Sequence, residues 1–258
     1  MSDMILVEPF ALTFGGAAPV YSVSRGVDPA NLIELDPREV FVDTGAAGTY
    51  SIDIDLGAAT DWDTIALVNV TAAAGATWSI TGGATYTTTT YLAATAMRLL
   101  SEDGIVISSS PALFVSGATI NGRYIRITIT PGGAPTNSIG CLVIGKSWKP
   151  SLPREIGAGR QPLDTGGRSR LEGGGLATVS GVLTSGFKWV FGDLDDTDLA
   201  KLWGIFRRRR TTEPLLLVED PAVATAENVH YCTLVDLEAY ERRVASKSRW
   251  SLTVEDWI

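Results

Sequence analysis

The sequence predicts a mainly β, two-domain protein: two β-sandwiches, the second carrying one amphipathic helix. Three observations lead there. Apolar and polar residues alternate with a period of two in stretches such as "TYSIDIDLG" and "YIRITIT". Gly- and Pro-containing breaks separate such stretches. Only "DDTDLAKLWGIFRRRR" carries a helical period.

Taken in order, residues 1–37 read as an N-terminal extension before the first sandwich, residues 38–148. In "TYSIDIDLG", Tyr50, Ile52, Ile54 and Leu56 point one way while Ser51, Asp53 and Asp55 point the other. "YIRITIT" repeats the pattern, with Ile125, Ile127 and Ile129 opposite Arg126, Thr128 and Thr130. "TIALVNV", "TWSIT", "GIVIS", "ALFVSG" and "GCLVIG" are further strand candidates. Across residues 149–175 Pro, Gly and charge rise and apolar periodicity vanishes, which predicts a connector or an arm toward a neighbour, ordered on assembly. Residues 176–258 return to alternation around a helix expected at 196–210. Asp195 can cap it, and Leu199, Leu202, Trp203 and Phe206 fall at i, i+3, i+4 and i+7.

Arg207, Arg208, Arg209 and Arg210 occupy the last turn of that helix, where each cation complements the carbonyl ends by about 0.3–1 kcal/mol. Four in a row exceed what a helix end needs, so a subunit interface with an acidic partner is the functional alternative. A nucleic-acid grip is disfavoured: the chain carries 29 acidic against 21 basic residues, and Glu213, Glu219 and Asp220 stand nearby.

Nothing selects an enzyme. The carboxylate pairs Asp53/Asp55 and Asp61/Asp63 suit a solvated face, no GxSxG elbow is present, and "GRSRLEGGG" lacks the context of a phosphate cradle. Cys141 and Cys232 lie in apolar runs as buried thiols, and His230 is the one histidine, so neither a metal site nor a cofactor is expected. The N-terminus lacks the pattern of a signal peptide, and no run approaches the roughly 20 apolar residues of a membrane helix. A chain made in the cytoplasm, without membrane insertion, is expected.

Two resemblances add to this. "IDIDLGAATDWDTIALVNV", "ATWSIT", "GRYIRITITPGG" and "IGCLVIG" occur in the order seen in galactose-binding-like, or discoidin-type, jelly rolls, which residues 38–147 resemble. Asp55-Leu56-Gly57, Thr77-Trp78 and Arg123-Tyr124-Ile125-Arg126 carry the match; the acidic residue frequent in the family's final strand is missing. The resemblance implies that Trp78 packs between sheets, and that loops at one end, here "GAATDWD" and "TGGATYTTTTY", contact glycans. Trp62, Tyr86 and Tyr91 are then the candidates for stacking on a sugar, with Trp62 equally able to cover the sandwich edge. Residues 176–258, with "DTDLAKLWGIF", "EPLLLVEDP", "YCTLVDLEAYERR" and "SRWSLTVEDW" in order, resemble distal-tail and minor-tail proteins of long-tailed bacteriophages. That resemblance implies a structural subunit of a virion tail tip or baseplate. It would form a ring with identical or homologous subunits and link the tail tube to the host-recognition apparatus. The alternative function is a carbohydrate-binding module that attaches the particle to host cell-surface glycans.

Overall fold

The structure, a computed structural model, describes residues 4–45, 48–105, 107, 109–133, 137–152, 155, 159–181, 183–236 and 239–257. It is mainly β, built from β-sandwich sheets with one α-helix. The chain divides into two units, Met1–Lys149 with Leu215–His230, and Pro150–Pro214 with Tyr231–Ile258.

The first unit holds β1 (Ile5–Val7), β2 (Thr13–Phe14), β3 (Val20–Val23), β4 (Phe41–Asp43), β5 (Tyr50–Val70), β6 (Thr77–Gly83), β7 (Thr89–Ala96), β8 (Ser110–Thr130), β9 (Asn137–Ile139), β10 (Cys141–Gly145) and β11 (Ser147–Trp148). Its spine is the antiparallel pair β5–β8, which runs from Tyr50 opposite Ile129 to Val70 opposite Ser110. Three register shifts interrupt the pair, between Asp55 and Thr60, Trp62 and Thr64, and Leu67 and Val70. Bulges of this kind bend a strand and let one hairpin serve two parts of a sheet. The early half of β5 pairs with β3, and its late half with β10. β6 joins β8 on its other side and carries β7. "TYSIDIDLG" and "TIALVNV" are therefore one strand, not two around a loop, and "GAATDWD" is its bulged middle. "ALFVSG" and "YIRITIT" likewise fuse into β8. Of "GIVIS", Val106 and Ser108 lie outside the described residues, and Gly104, Ile105 and Ile107 are not in a strand.

The apolar sides of these strands meet in one core, where Ile52, Ile54, Ile65, Trp78, Ile125 and Ile127 are all buried. Burying side chains of this size contributes about 1.5–3 kcal/mol each against the entropy of ordering the chain. The segment read as an N-terminal extension, residues 1–37, supplies three strands. Ile5–Val7 pairs with Trp148 and Ser147 of β11, and on its other side with Leu215–Val218. That last run was expected in the second domain. Four consecutive apolar residues, all fully buried, carry no alternation that would identify their partner.

The run Leu215–Val218 is β16 and belongs to the first unit; the second unit contains β12 (Gly159–Asp164), β13 (Gly167–Arg170), β14 (Leu176–Val179), β15 (Leu183–Leu194), α1 (Asp196–Arg209), all but the first two residues of β17 (Val229–Asp236), β18 (Glu241–Val244) and β19 (Lys247–Asp256). β15 and β17 both pair with β19, β12 pairs with β15, and β13 pairs with β14. The region read as a connector thus contains two paired strands. They escape the period-two test because the ribbon is exposed on both faces and has no core to alternate against.

The Asp195 side chain caps α1, accepting from the Asp198 N–H at 2.8 Å. Leu199, Leu202, Ile205 and Phe206 face inward. Trp203, expected on that stripe, is 47% exposed at its margin, where its ring meets those of Tyr240 and Trp250 at 6.2 and 5.6 Å.

Candidate functional site

Alternation along β5 and β8 turns Asp53, Asp55, Tyr124 and Arg126 to the face away from the buried isoleucines. The register then sets Asp53 opposite Arg126 and Asp55 opposite Tyr124. Arg126 donates through Nε and Nη2 to the two Asp53 oxygens, at 2.7 and 2.6 Å. Arg123 grips Asp55 in the same way, at 2.6 and 2.8 Å. These are two-pronged, charge-assisted pairs, which fix the plane of each guanidinium as well as its position. Asp55 also accepts from the Gly57 N–H at 2.8 Å, and Gly57 holds a φ of +80° that a side chain would strain. Hydrogen bonding from Arg123 keeps the Asp55 carboxyl below its ordinary pKa; burial opposes this, and the Gly57 N–H and the Arg123 charge reinforce it.

Two tyrosines complete the face. The turn between β6 and β7 delivers Tyr86, whose carbonyl accepts from Thr81 Oγ1 at 2.6 Å. The Tyr86 and Tyr124 rings stand 5.0 Å apart, tilted by 58°. Each has a guanidinium beside it: Arg126 Cζ lies 5.2 Å from the Tyr86 centroid and Arg123 Cζ 4.8 Å from that of Tyr124. Beneath the rings, Gly82 lets β6 run close to β8, because a Cβ there would lie 2.1 Å from the Tyr124 carbonyl oxygen. Burial, then the charges of Asp53 and Asp55, raise the Tyr86 phenol above its ordinary pKa, so it stays a neutral donor. All six side chains are partly accessible. They form a semi-rigid surface of ring faces flanked by planar hydrogen-bonding groups.

The residues singled out from sequence separate here. Tyr86 belongs to this face. Trp62 does not: it is 0% exposed, with Tyr91 edge-on at 5.2 Å and Phe114 at 6.3 Å. Trp62 is a core residue and presents no ring to a ligand, because the bulged middle of β5 turns it inward. Tyr91 is half-buried against it. Arg207 and Arg208 are exposed on the last turn of α1. Arg209 is only 15% exposed and pairs with Glu213 at 3.1 Å. Arg210 lies one residue past the helix at φ 52°, a geometry that favours glycine. Tyr124, Arg123, Asp53 and Asp55 were not singled out as ligand contacts, although "IDID" against "RYIRI" carried the signal of opposite charges on two alternating strands.

Other polar groups serve the fold. A cleft of about 420 Å³ is walled by Asp63, Ser116, Thr119, Ser147 and Lys149. Its buried carboxylate is engaged by Thr64 Oγ1, Ser147 N and Ser147 Oγ at 2.8–2.9 Å, and among the described residues no aromatic ring lines it. His230 is buried with Nε2 3.1 Å from Glu219. Cys141 and Cys232 are buried thiols outside any disulfide, Cys141 donating to the Glu34 carbonyl at 3.1 Å, and burial pushes the Cys232 thiol well above its usual range. Among the described residues no group of three or more His, Cys, Asp or Glu could hold a metal ion, and no helix is long and apolar enough to cross a membrane.

No family model and no curated protein matches the chain. Among solved structures it is similar to the module CpGH89CBM32-6 of Clostridium perfringens, at 17% identity over 49% of this chain and 91% of that one, with a TM-score of 0.38. It is also similar to the CBM32 of AlyQ in complex with 4,5-unsaturated mannuronic acid, at 18% identity over 54% and 96%, with a TM-score of 0.35. A GH29 fucosidase of Ruminococcus gnavus matches at 17% identity and a TM-score of 0.37, over 50% of this chain and only 25% of the fucosidase. Likeness at this level is one of partial shape and says nothing of ligand or activity.

Proposed function

We propose that this protein works by binding, and that the outer face of β5, β8 and the β6–β7 turn takes a saccharide. One observation supports this above others: Tyr86 and Tyr124 sit side by side between two bidentate Arg–Asp pairs on one sheet face. A pyranose offers apolar C–H faces and a rim of hydroxyls. Ring faces suit the first, and planar groups with both donors and acceptors suit the second. Arginines already matched by carboxylates add little net charge, so a neutral sugar fits better than an acidic one. Saccharide is also the ligand class named for two of the structures above; what supports the proposal is the built face, not that likeness.

The test is an array of neutral and acidic glycans probed with the full chain, followed by calorimetric titration of any sugar that binds. Covering roughly 40 Å² of each exposed ring corresponds to about 1 kcal/mol. Tyr86→Ala and Tyr124→Ala are each expected to weaken binding about fivefold. No binding on the array, or binding indifferent to both substitutions, would refute the proposal.

A second reading, a structural subunit that packs against neighbours, is supported by the exposed Arg207 and Arg208 beside the half-exposed Trp203. Its more specific form, a phage tail tip or baseplate component in a virion, rests on the sequence resemblance, and the similar structures lend it no support. Loss of particle incorporation in an Arg207–Arg210→Ala variant of intact fold is its test.

A further inference from the structure

Residues 159–181 and 183–188 form an antiparallel ribbon in two parts. β12 pairs with the start of β15 from Gly159 opposite Lys188 to Asp164 opposite Leu183, and β13 pairs with β14 from Gly167 opposite Val179 to Arg170 opposite Leu176. Between the parts the strands nearly touch: a Cβ on Gly181 would lie 1.9 Å from the Gly166 nitrogen. Glycine at 181 lets the ribbon pass this point, and a Cβ on Gly166 would be tight, 3.0 Å from Gly181 N and Val179 O. The tip closes through two hydrogen bonds, Leu171 N to Gly175 O at 2.8 Å and Gly174 N to Leu171 O at 2.9 Å. Among the described residues β13 and β14 pair with no third strand.

Two-stranded ribbons of this size are marginal in water unless something covers them. This one exposes apolar side chains as well: Leu171 is 56%, Leu176 57% and Val179 72% exposed. Cross-strand partners share a face, so Ala177 and Val179 lie together, with Leu171 in phase beyond the strand end. Arg168 and Arg170 occupy the opposite face with Leu176 and Thr178. The tip thus carries Leu171, Ala177 and Val179 on one side, and both arginines with Leu176 on the other.

We propose that this ribbon is an arm that docks on a second copy of the same chain. Two arguments favour a copy over an unrelated partner. The tip, residues 167–179, holds two arginines against one glutamate, on a chain whose net charge is -8, so a copy offers the arm an oppositely charged body. The three exposed apolar side chains alone fall short of the ~800 Å² per partner of a standard interface. Reciprocal exchange, in which each copy gives and receives an arm, doubles the contact within one two-fold arrangement. The inference is independent of the saccharide reading and survives its failure.

Sedimentation velocity of the full chain over a concentration series tests it. The expected result is a dimer or higher species that reverts to a 27.4 kDa monomer in the Leu171→Ser/Val179→Ser variant, with far-ultraviolet circular dichroism outside the ribbon's small share unchanged. Arg168→Glu/Arg170→Glu leaves the apolar side in place and guards against a ribbon that has only melted. It is expected to weaken association at least tenfold at low salt, and less as salt screens the charges. Weakened association in either variant supports the arm. A monomeric wild-type protein across the series, which would leave the ribbon to a different partner, overturns it; so does association that neither variant changes.

Discussion

Replacing Trp62 by alanine and by phenylalanine separates a core tryptophan from a ligand-stacking one. Trp62 is completely buried, so alanine removes about 150–250 Å² of ring surface from the core, an upper bound near 4–6 kcal/mol at ~25 cal/mol/Å². Buried aromatic truncations cost about 3–5 kcal/mol, and the contacts with Tyr91 and Phe114 place this site in that range. Phenylalanine behaves differently. It loses roughly 1 kcal/mol of ring surface, but it also removes an indole N–H that is buried without a hydrogen-bond partner among the described residues. An unsatisfied buried donor costs about 1–3 kcal/mol, so the two changes offset and Trp62→Phe should fall within about 1 kcal/mol of the natural protein. Differential scanning calorimetry of the full chain is the assay, read at the transition of the first unit. Alanine should lower that transition by about 6–20 °C and phenylalanine by no more than about 4 °C. Saccharide titration should show the phenylalanine variant binding as before. If phenylalanine costs as much as alanine, or abolishes binding at unchanged stability, the inward placement of Trp62 is wrong.

Two further outcomes are expected. The Asp55 carboxyl is held below its ordinary pKa by Arg123, so its contribution is complete above about pH 4 and is lost as pH falls through the depressed value; the urea midpoints of natural and Asp55→Asn proteins should differ by a constant amount from pH 7 to pH 5 and converge in strong acid, and convergence already near pH 6 would contradict the assigned pair. Asp195→Ala removes the cap of α1 and should destabilise the second unit by about 1 kcal/mol, measured by denaturant unfolding, with saccharide binding untouched.

Strand character was legible wherever a strand has one buried face. Ile52 and Ile54 against Asp53 and Asp55, and Ile125 and Ile127 against Arg126, alternate because the core accepts one side and water the other. The helix was legible for the same reason, from a cap and an apolar stripe. What could not be read is what depends on partners distant in sequence. Leu215–Val218 finds Ile5–Val7 more than two hundred positions away, and a fully buried apolar run has no pattern that names its neighbour. β12 and β13 were invisible for the opposite reason, since nothing on either side of the ribbon is buried enough to impose a period.

The same distinction explains the site. A residue's outward direction follows from its place in an alternating strand, so Asp53, Asp55 and Arg126 were readable as outer-face residues. Their meaning depends on register: one residue of slip between β5 and β8 would turn Arg126 away from Asp53 and into the core. Two of the three bulges along this pair fall at "GAATDWD", where glycine, alanine and threonine mimic a loop. Those bulges also turn Trp62 inward. A tryptophan in an apparent loop reads as a ligand platform, while the tyrosine that does join Tyr86 on the face, Tyr124, sits inside a strand whose neighbours are isoleucine and arginine. The platform is therefore a product of strand pairing, and loop composition is a poor guide to it in a sandwich whose longest strands bend instead of ending.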